Sequence, residues 1–138
     1  MKFPDQIFLH GNAAGVLGDC WRTCIAGVLG MSAANVPHFV EAHQGEDGEW
    51  FRQSVTWVAL NSGATLRYYE GNLMTDPDRR EGRSAFPHVI LIGPSPRGAF
   101  NHCVIGDAYF GDMVHDPHPS RDGLLSIVGV YAFDSSSQ

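Results

Sequence analysis

Thr65-Leu66-Arg67-Tyr68-Tyr69 marks the point where the hydrophobic period of the chain changes. Upstream, apolar residues recur at helical spacing; downstream, they come in short runs of strand length. The stretch itself combines a β-branched residue with two tyrosines and reads as a strand. Helices first and strands afterwards point to an α+β domain, with N-terminal helices packed on an antiparallel sheet.

Working upstream, Glu49 to Leu60 reads as a long helix, with Trp50, Ser54 or Val55, Trp57, Val58 and Leu60 on or near its buried side. Asn61-Ser62-Gly63 ends it. Residues 43–49 are polar and glycine-containing, as a loop requires. Ser32 is expected to cap a short helix through Asn35. Cys20 to Leu29 is a second long helix, because Cys24, Ile25, Val28 and Leu29 form an inward stripe. Asp19 is its expected N-cap and Gly30 its stop. Residues 1–18 show little periodicity, apart from a short strand expected at Ile7-Phe8-Leu9.

Working downstream, residues 70–84 are polar and turn at Asp76-Pro77-Asp78. His88-Val89-Ile90-Leu91-Ile92 is a continuous apolar run closed by Gly93-Pro94, and reads as a strand. His102 to Ile105 is the next, and Asp112 to His115 is expected to pair with it. Leu124 to Phe133 supplies the last strand, and Asp134 to Gln138 should fray.

The 138 residues are enough for a single core, and one domain over 1–138 is expected. Hydrophobic residues make up 43%, yet no uniformly apolar run is long enough to span a bilayer. Met1 to Asp5 lacks the marks of a secretion signal, so a cytoplasmic location with no membrane partner is expected. The net charge is −6, Lys2 is the sole lysine, and the arginines are scattered apart from Arg79-Arg80. No basic stripe exists to neutralise a row of phosphates, which argues against a nucleic-acid partner. Three cysteines are an odd number and do not make a disulfide framework.

Chemistry concentrates in three short segments. Gly18-Asp19-Cys20-Trp21 puts a thiol at a helix start, beside free backbone N–H groups and the positive end of the helix dipole. Asn101-His102-Cys103-Val104 opens a strand with an imidazole, which needs folding to reach that thiol. Fourteen residues after His102, Val114-His115-Asp116-Pro117 supplies a carboxylate held at a strand end, with Pro117 restricting its backbone. A carboxylate on one ring nitrogen leaves the other to face sulfur. The Cys20 backbone N–H is one candidate oxyanion donor, and the side-chain amides of Gln6 and Asn12 compete for the second.

These three segments look like the motif regions of papain-like cysteine peptidases. The likeness is to small bacterial and phage-encoded members, including bacteriocin-processing peptidase domains. The resemblance implies Cys20 as nucleophile, His102 as general base and Asp116 as orienting acid. It also implies a papain-like fold and hydrolysis of a peptide, isopeptide or related amide bond in a protein or peptide substrate, through a thioester and with no cofactor. There is one departure. Relatives carry a glutamine roughly half a dozen residues before the cysteine, where this chain has Ala13, Ala14 and Val16.

Other readings stay open beside it. The same residues would serve a transglutaminase or deamidase, or an inactive papain-like module that binds a protein. His115 and His118 are zinc-compatible and suit a metal-dependent hydrolase. Cys24 and Cys103 are expected in the core. Trp21, next to the thiol, is expected to border the substrate groove as well as the core. His118, between Pro117 and Pro119, is expected to line the cleft.

Overall fold

The computed structural model describes residues 3–6, 19–71, 84–98, 100–109 and 111–135. Helix α1 spans Cys20–Leu29 and stops at Gly30, whose φ of 74° is a left-handed conformation that glycine adopts freely. A 3₁₀ turn follows at Ala33–Asn35, then a short helix α2 at Phe39–Ala42. Helix α3 covers Glu49–Ser62 and ends at Gly63. The strands are β1 (Thr65–Glu70), β2 (His88–Pro94), β3 (Asn101–Asp107), β4 (Met113–His115) and β5 (Gly129–Asp134). They form one sheet in the order β1-β5-β2-β3-β4, with every neighbouring pair antiparallel.

Alternation along each strand divides the apolar residues between two faces. Leu66, Ile90, Cys103, Ile105, Tyr131 and Phe133 meet α1, Trp21, Val36, Phe39 and Val58 in the larger core. Val89, Leu91, Val104, Val130 and Ala132 form a second cluster on the other face, with Tyr69, Leu124 and Ile127 packed against it. Burial on both faces explains why β2 reads as an unbroken apolar run rather than an alternating one.

Helix α1 lies across β3 and β2. A Cβ on Gly27 would sit 2.3 Å from Ile105 Cδ1, so the bare glycine lets the helix press close to the strand. That close seam fixes where the tip of α1 meets the start of β3. Among the described residues, no single helix is long and apolar enough to cross a membrane.

Several expectations need correction. Leu60 is 81% exposed, because it lies off the stripe of α3 that buries Ser54 and Val58. Helix α3 runs on to Ser62. Asp19 holds the N-cap position of α1, but its side chain does not cap the helix. Its carboxylate binds Arg22 Nε at 2.9 Å instead, and its carbonyl accepts the Thr23 hydroxyl at 2.8 Å. Strand β2 ends at Pro94, as expected, with Gly93 and Pro94 as its last paired residues, opposite His102 and Asn101.

The last strand begins at Gly129, not Leu124. Before it, Leu125 and Val128 donate isolated hydrogen bonds to the Pro94 and Ile92 carbonyls. Between them the Ser126 carbonyl turns against Gly93, where a Cβ would lie only 1.8 Å from its oxygen. Asp134 does not fray: it is buried and accepts the Tyr69 hydroxyl at 2.6 Å. The strand expected at residues 7–9 and the turn at 76–78 lie outside the described residues.

Candidate active site

The tip of α1 is held from below. Asp19 is fully buried, and Arg22 spans from its carboxylate to the Val36 carbonyl. Cys20 therefore starts the helix on a fixed base and stays half-buried while its neighbours Asp19 and Trp21 are buried.

His102, the second residue of β3, is buried at the end of the sheet nearest that tip. Its Nε2 lies 2.7 Å from Asp116 Oδ1. An ionised carboxylate requires the hydrogen on Nε2, which leaves Nδ1 as the ring atom for the thiol. Asp116 follows β4, which pairs with β3, so two adjacent strands deliver the acid to the imidazole.

Asp116 is enclosed by donors. Its Oδ1 also accepts the His118 backbone N–H at 2.9 Å, and its Oδ2 accepts that of Gly123 at 2.8 Å. Arg97 Nη1 stands 3.9 Å from Oδ2. Arg121 ties the loop together: its guanidinium donates to the Asp116 carbonyl at 2.5 Å and binds both Asp5 oxygens, at 2.6 and 3.0 Å. Arg121 itself adopts a φ of 58°, a left-handed conformation uncommon for a residue with a side chain. The N-terminal segment thus docks on the acid loop. There the Gln6 N–H donates to the Pro117 carbonyl at 3.0 Å, and His115 Nε2 bonds Pro4 O at 3.0 Å.

The electrostatics follow from these contacts. Hydrogen bonding to Cys103, then to His102, together with the imidazolium charge, holds the Cys20 thiol well below the usual thiol range and outweighs its burial. Burial disfavours charge on the His102 ring, but hydrogen bonds with Asp116 and Cys20 prevail and push it up to about 9. Burial likewise opposes charge on Asp116, yet the His102 bond and the His118 and Gly123 N–H groups bring it down to about 2. All three shifts run the same way: they favour charge on Cys20, on the His102 ring and on Asp116. Cys103, next to His102 on β3, is pushed up by its hydrogen bond to Cys20 and by burial, and stays a thiol.

The structure thus brings Cys20, His102 and Asp116 together. His118 stands beside them, its ring centroid 6.3 Å from that of His102. Burial and the Arg97 charge lower its pKa, and its Nδ1 accepts the Ser120 N–H, as a neutral imidazole does. Gln6 reaches the acid loop through its backbone, while Asn12 lies outside the described residues. Trp21 does not border a groove. Its indole N–H donates to the buried Ser54 Oγ at 2.9 Å, and its ring packs edge-on against Trp50 and Tyr131. An indole needs that hydrogen-bond partner when buried, and Ser54 supplies it inside the core.

His115 and His118 turn to different partners, Asp5 and Ser120. Among the described residues, no three His, Cys, Asp or Glu side chains are grouped to hold a metal ion. Sequence reasoning missed Cys103 as a neighbour of the thiol. The signal was present: alternation turns Cys103 to the helix face of β3, where Cys20 also packs. It also missed Gly123 and Arg121 as supports of Asp116; the turn signal in Arg121-Asp122-Gly123 was the available clue.

Comparison of the chain with protein-family models, curated proteins and solved structures gave no match.

Proposed function

We propose that this chain is a papain-like cysteine hydrolase that cleaves a peptide or isopeptide bond in a protein or peptide substrate. The observation that carries this reading is the single His102 ring engaged on one side by the Asp116 carboxylate and on the other by the Cys20 thiol. A satisfied structural histidine needs only one such partner. A nucleophile, a base and an orienting acid in one row are what acyl transfer needs.

In this reading Cys20 reacts as a preformed thiolate. Its sulfur attacks the substrate carbonyl, and the negative charge that develops on the oxygen meets the Cys20 backbone N–H at the α1 terminus. Gln6 is the candidate second donor among the described residues, because its backbone is anchored beside Asp116. His102 gives its proton to the departing amine, and a thioester remains on Cys20. The neutral ring then draws a proton from water, whose oxygen attacks the thioester and releases the acid. Asp116 keeps Nε2 protonated and the ring aligned throughout. An amine in place of water would give transglutamination, and a side-chain amide as substrate would give deamidation.

The test compares the wild-type protein with Cys20→Ala by profiling newly formed peptide termini in a host lysate. Wild type should generate cleavage products, and the variant should lose at least roughly a thousandfold of the rate while staying folded. Equal product formation by both would reject Cys20 as the nucleophile. Products from neither, with Cys20 no more reactive than Cys24 or Cys103, would favour an inactive module that binds protein.

A further inference from the structure

We infer that Cys20 and Cys103 form a reversible oxidation site, in which Cys103 resolves an oxidised Cys20 into a disulfide that silences the enzyme. This deepens the hydrolase reading and rests on one part of it, the reactive thiolate at Cys20. It does not depend on which bond is hydrolysed.

The placement of the two sulfurs carries the inference. Cys20 opens α1 and Cys103 follows His102 on β3, and both pack into the same helix-face core where α1 crosses the sheet. The two thiols act on each other electrostatically, which favours charge on Cys20 and disfavours it on Cys103. Strand alternation turns Cys103 to the helix face of β3, so a second sulfur, which has no place in the acyl-transfer steps themselves, shares the core with the nucleophile. Exposure separates their roles. Cys20 is half-buried and open to a small oxidant, whereas Cys103 is only 5% exposed and is reached through Cys20. Cys24, the third thiol, is fully buried in the core of α1.

The chemistry balances with hydrogen peroxide as the oxidant. The Cys20 thiolate attacks one peroxide oxygen. An S–O bond forms, the O–O bond breaks, and the departing hydroxide takes the His102 proton and leaves as water. Cys20 is now a sulfenic acid. The Cys103 sulfur attacks the Cys20 sulfur, an S–S bond forms and the S–O bond breaks. The Cys103 proton joins the hydroxide as a second water. Two thiols are oxidised by two electrons and one peroxide is reduced to two waters. The disulfide removes the nucleophile but spares it from irreversible sulfinic acid, and a dithiol reductant restores both thiols.

The experiment treats the reduced, full-length protein with a small excess of hydrogen peroxide, alkylates the remaining thiols and maps the peptides by mass. The expected result is a peptide joining Cys20 to Cys103, lighter by two hydrogens, with Cys24 alkylated only after unfolding. Native iodoacetamide labelling of Cys20 should vanish with oxidation and return fully with dithiothreitol. In Cys103→Ser, the same dose should drive Cys20 to sulfinic acid, with no recovery. Cys103→Ala should behave alike, and the wild-type map stands alone if neither variant folds. Fast labelling of Cys20 in the reduced protein, but sulfinic acid and no linked peptide after peroxide, would overturn this inference and leave the hydrolase reading standing. Slow labelling of Cys20, equal to Cys24 and Cys103, would overturn both.

Discussion

The two ends of the α1–β3 seam are built from the same two elements and do opposite work. At one end Gly27 admits Ile105, and the contact is apolar and tight. At the other, Cys20 meets His102 and Cys103, and three polar groups share a site that extends to Asp116. The apolar end sets the position and the polar end uses it. A buried charge is costly unless paired and hydrogen-bonded. Here each group that would carry charge has a partner: Cys20 has His102, His102 has Asp116, and Asp116 has two backbone N–H groups. The polar end is tolerable in a buried place because the apolar end holds those partners in register.

Substitutions at the two ends should separate activity from stability. The largest effect is expected at the polar end. Asp116→Ala should lower kcat/KM by roughly a thousandfold, since the ring then loses the acceptor that keeps Nε2 protonated and the imidazole aligned. Circular dichroism should show the fold retained, and an activity loss under tenfold would remove Asp116 from the mechanism. At the apolar end, Ile105→Ala should destabilise the protein by about 3 kcal/mol in urea unfolding, from lost burial and the cavity left behind. Its activity per folded molecule should stay within about tenfold of wild type, short of the losses that misplacing a catalytic group produces. Activity falling in step with the Asp116 variant would show that the two ends are not separable.

Cys24 lies midway, one turn from Cys20 but wholly in the core. Cys24→Ala should cost only about 1 kcal/mol and leave Cys20 labelling unchanged. A changed labelling rate would move Cys24 into the site.

The acid side of the pH dependence of stability should reflect the polar end. Folding raises His102 from 6.5 to about 9, so its contribution is complete below 6.5 and is lost as pH rises through about 9. Folding lowers Asp116 from 3.8 to about 2, so its contribution is complete above 3.8 and is lost as pH falls toward about 2. Urea midpoints should fall toward the acid edge in wild type, and Asp116→Ala should flatten that edge, while at the alkaline side the lowered Cys20 thiol opposes the His102 loss. An acid edge unchanged in that variant would dissociate Asp116 from the pair.

The apolar end was the more legible in sequence. The stripe of Cys24, Ile25 and Val28 and the run of Val89 to Leu91 state their burial directly, because periodicity reports a face. Leu60 misled for a related reason: a hydrophobic residue near a stripe is not on it unless the spacing fits. At the polar end, Cys20, His102 and Asp116 were singled out by residue type and chain order, but not their supports. Gly123 contributes only its N–H, and Arg121 acts through a left-handed turn, so side-chain identity carries neither role. Trp21 looked like a groove wall from its place beside Cys20, but a helix turns successive residues about 100° apart and aimed it at Ser54. The Leu124 to Val128 stretch looked like strand because its composition is apolar, while the Ser126 carbonyl packed on Gly93 interrupts the ladder there.

The most direct test of the thiolate–imidazolium pair is the rate of Cys20 alkylation by iodoacetamide as a function of pH, in wild type and in His102→Ala. Wild type should show an inflection far below the ordinary thiol value of about 8.5, and the variant should move it upward by more than about one unit. An inflection near about 8.5 in both proteins would contradict the account, because Cys20 would then be an ordinary cysteine at the end of a helix.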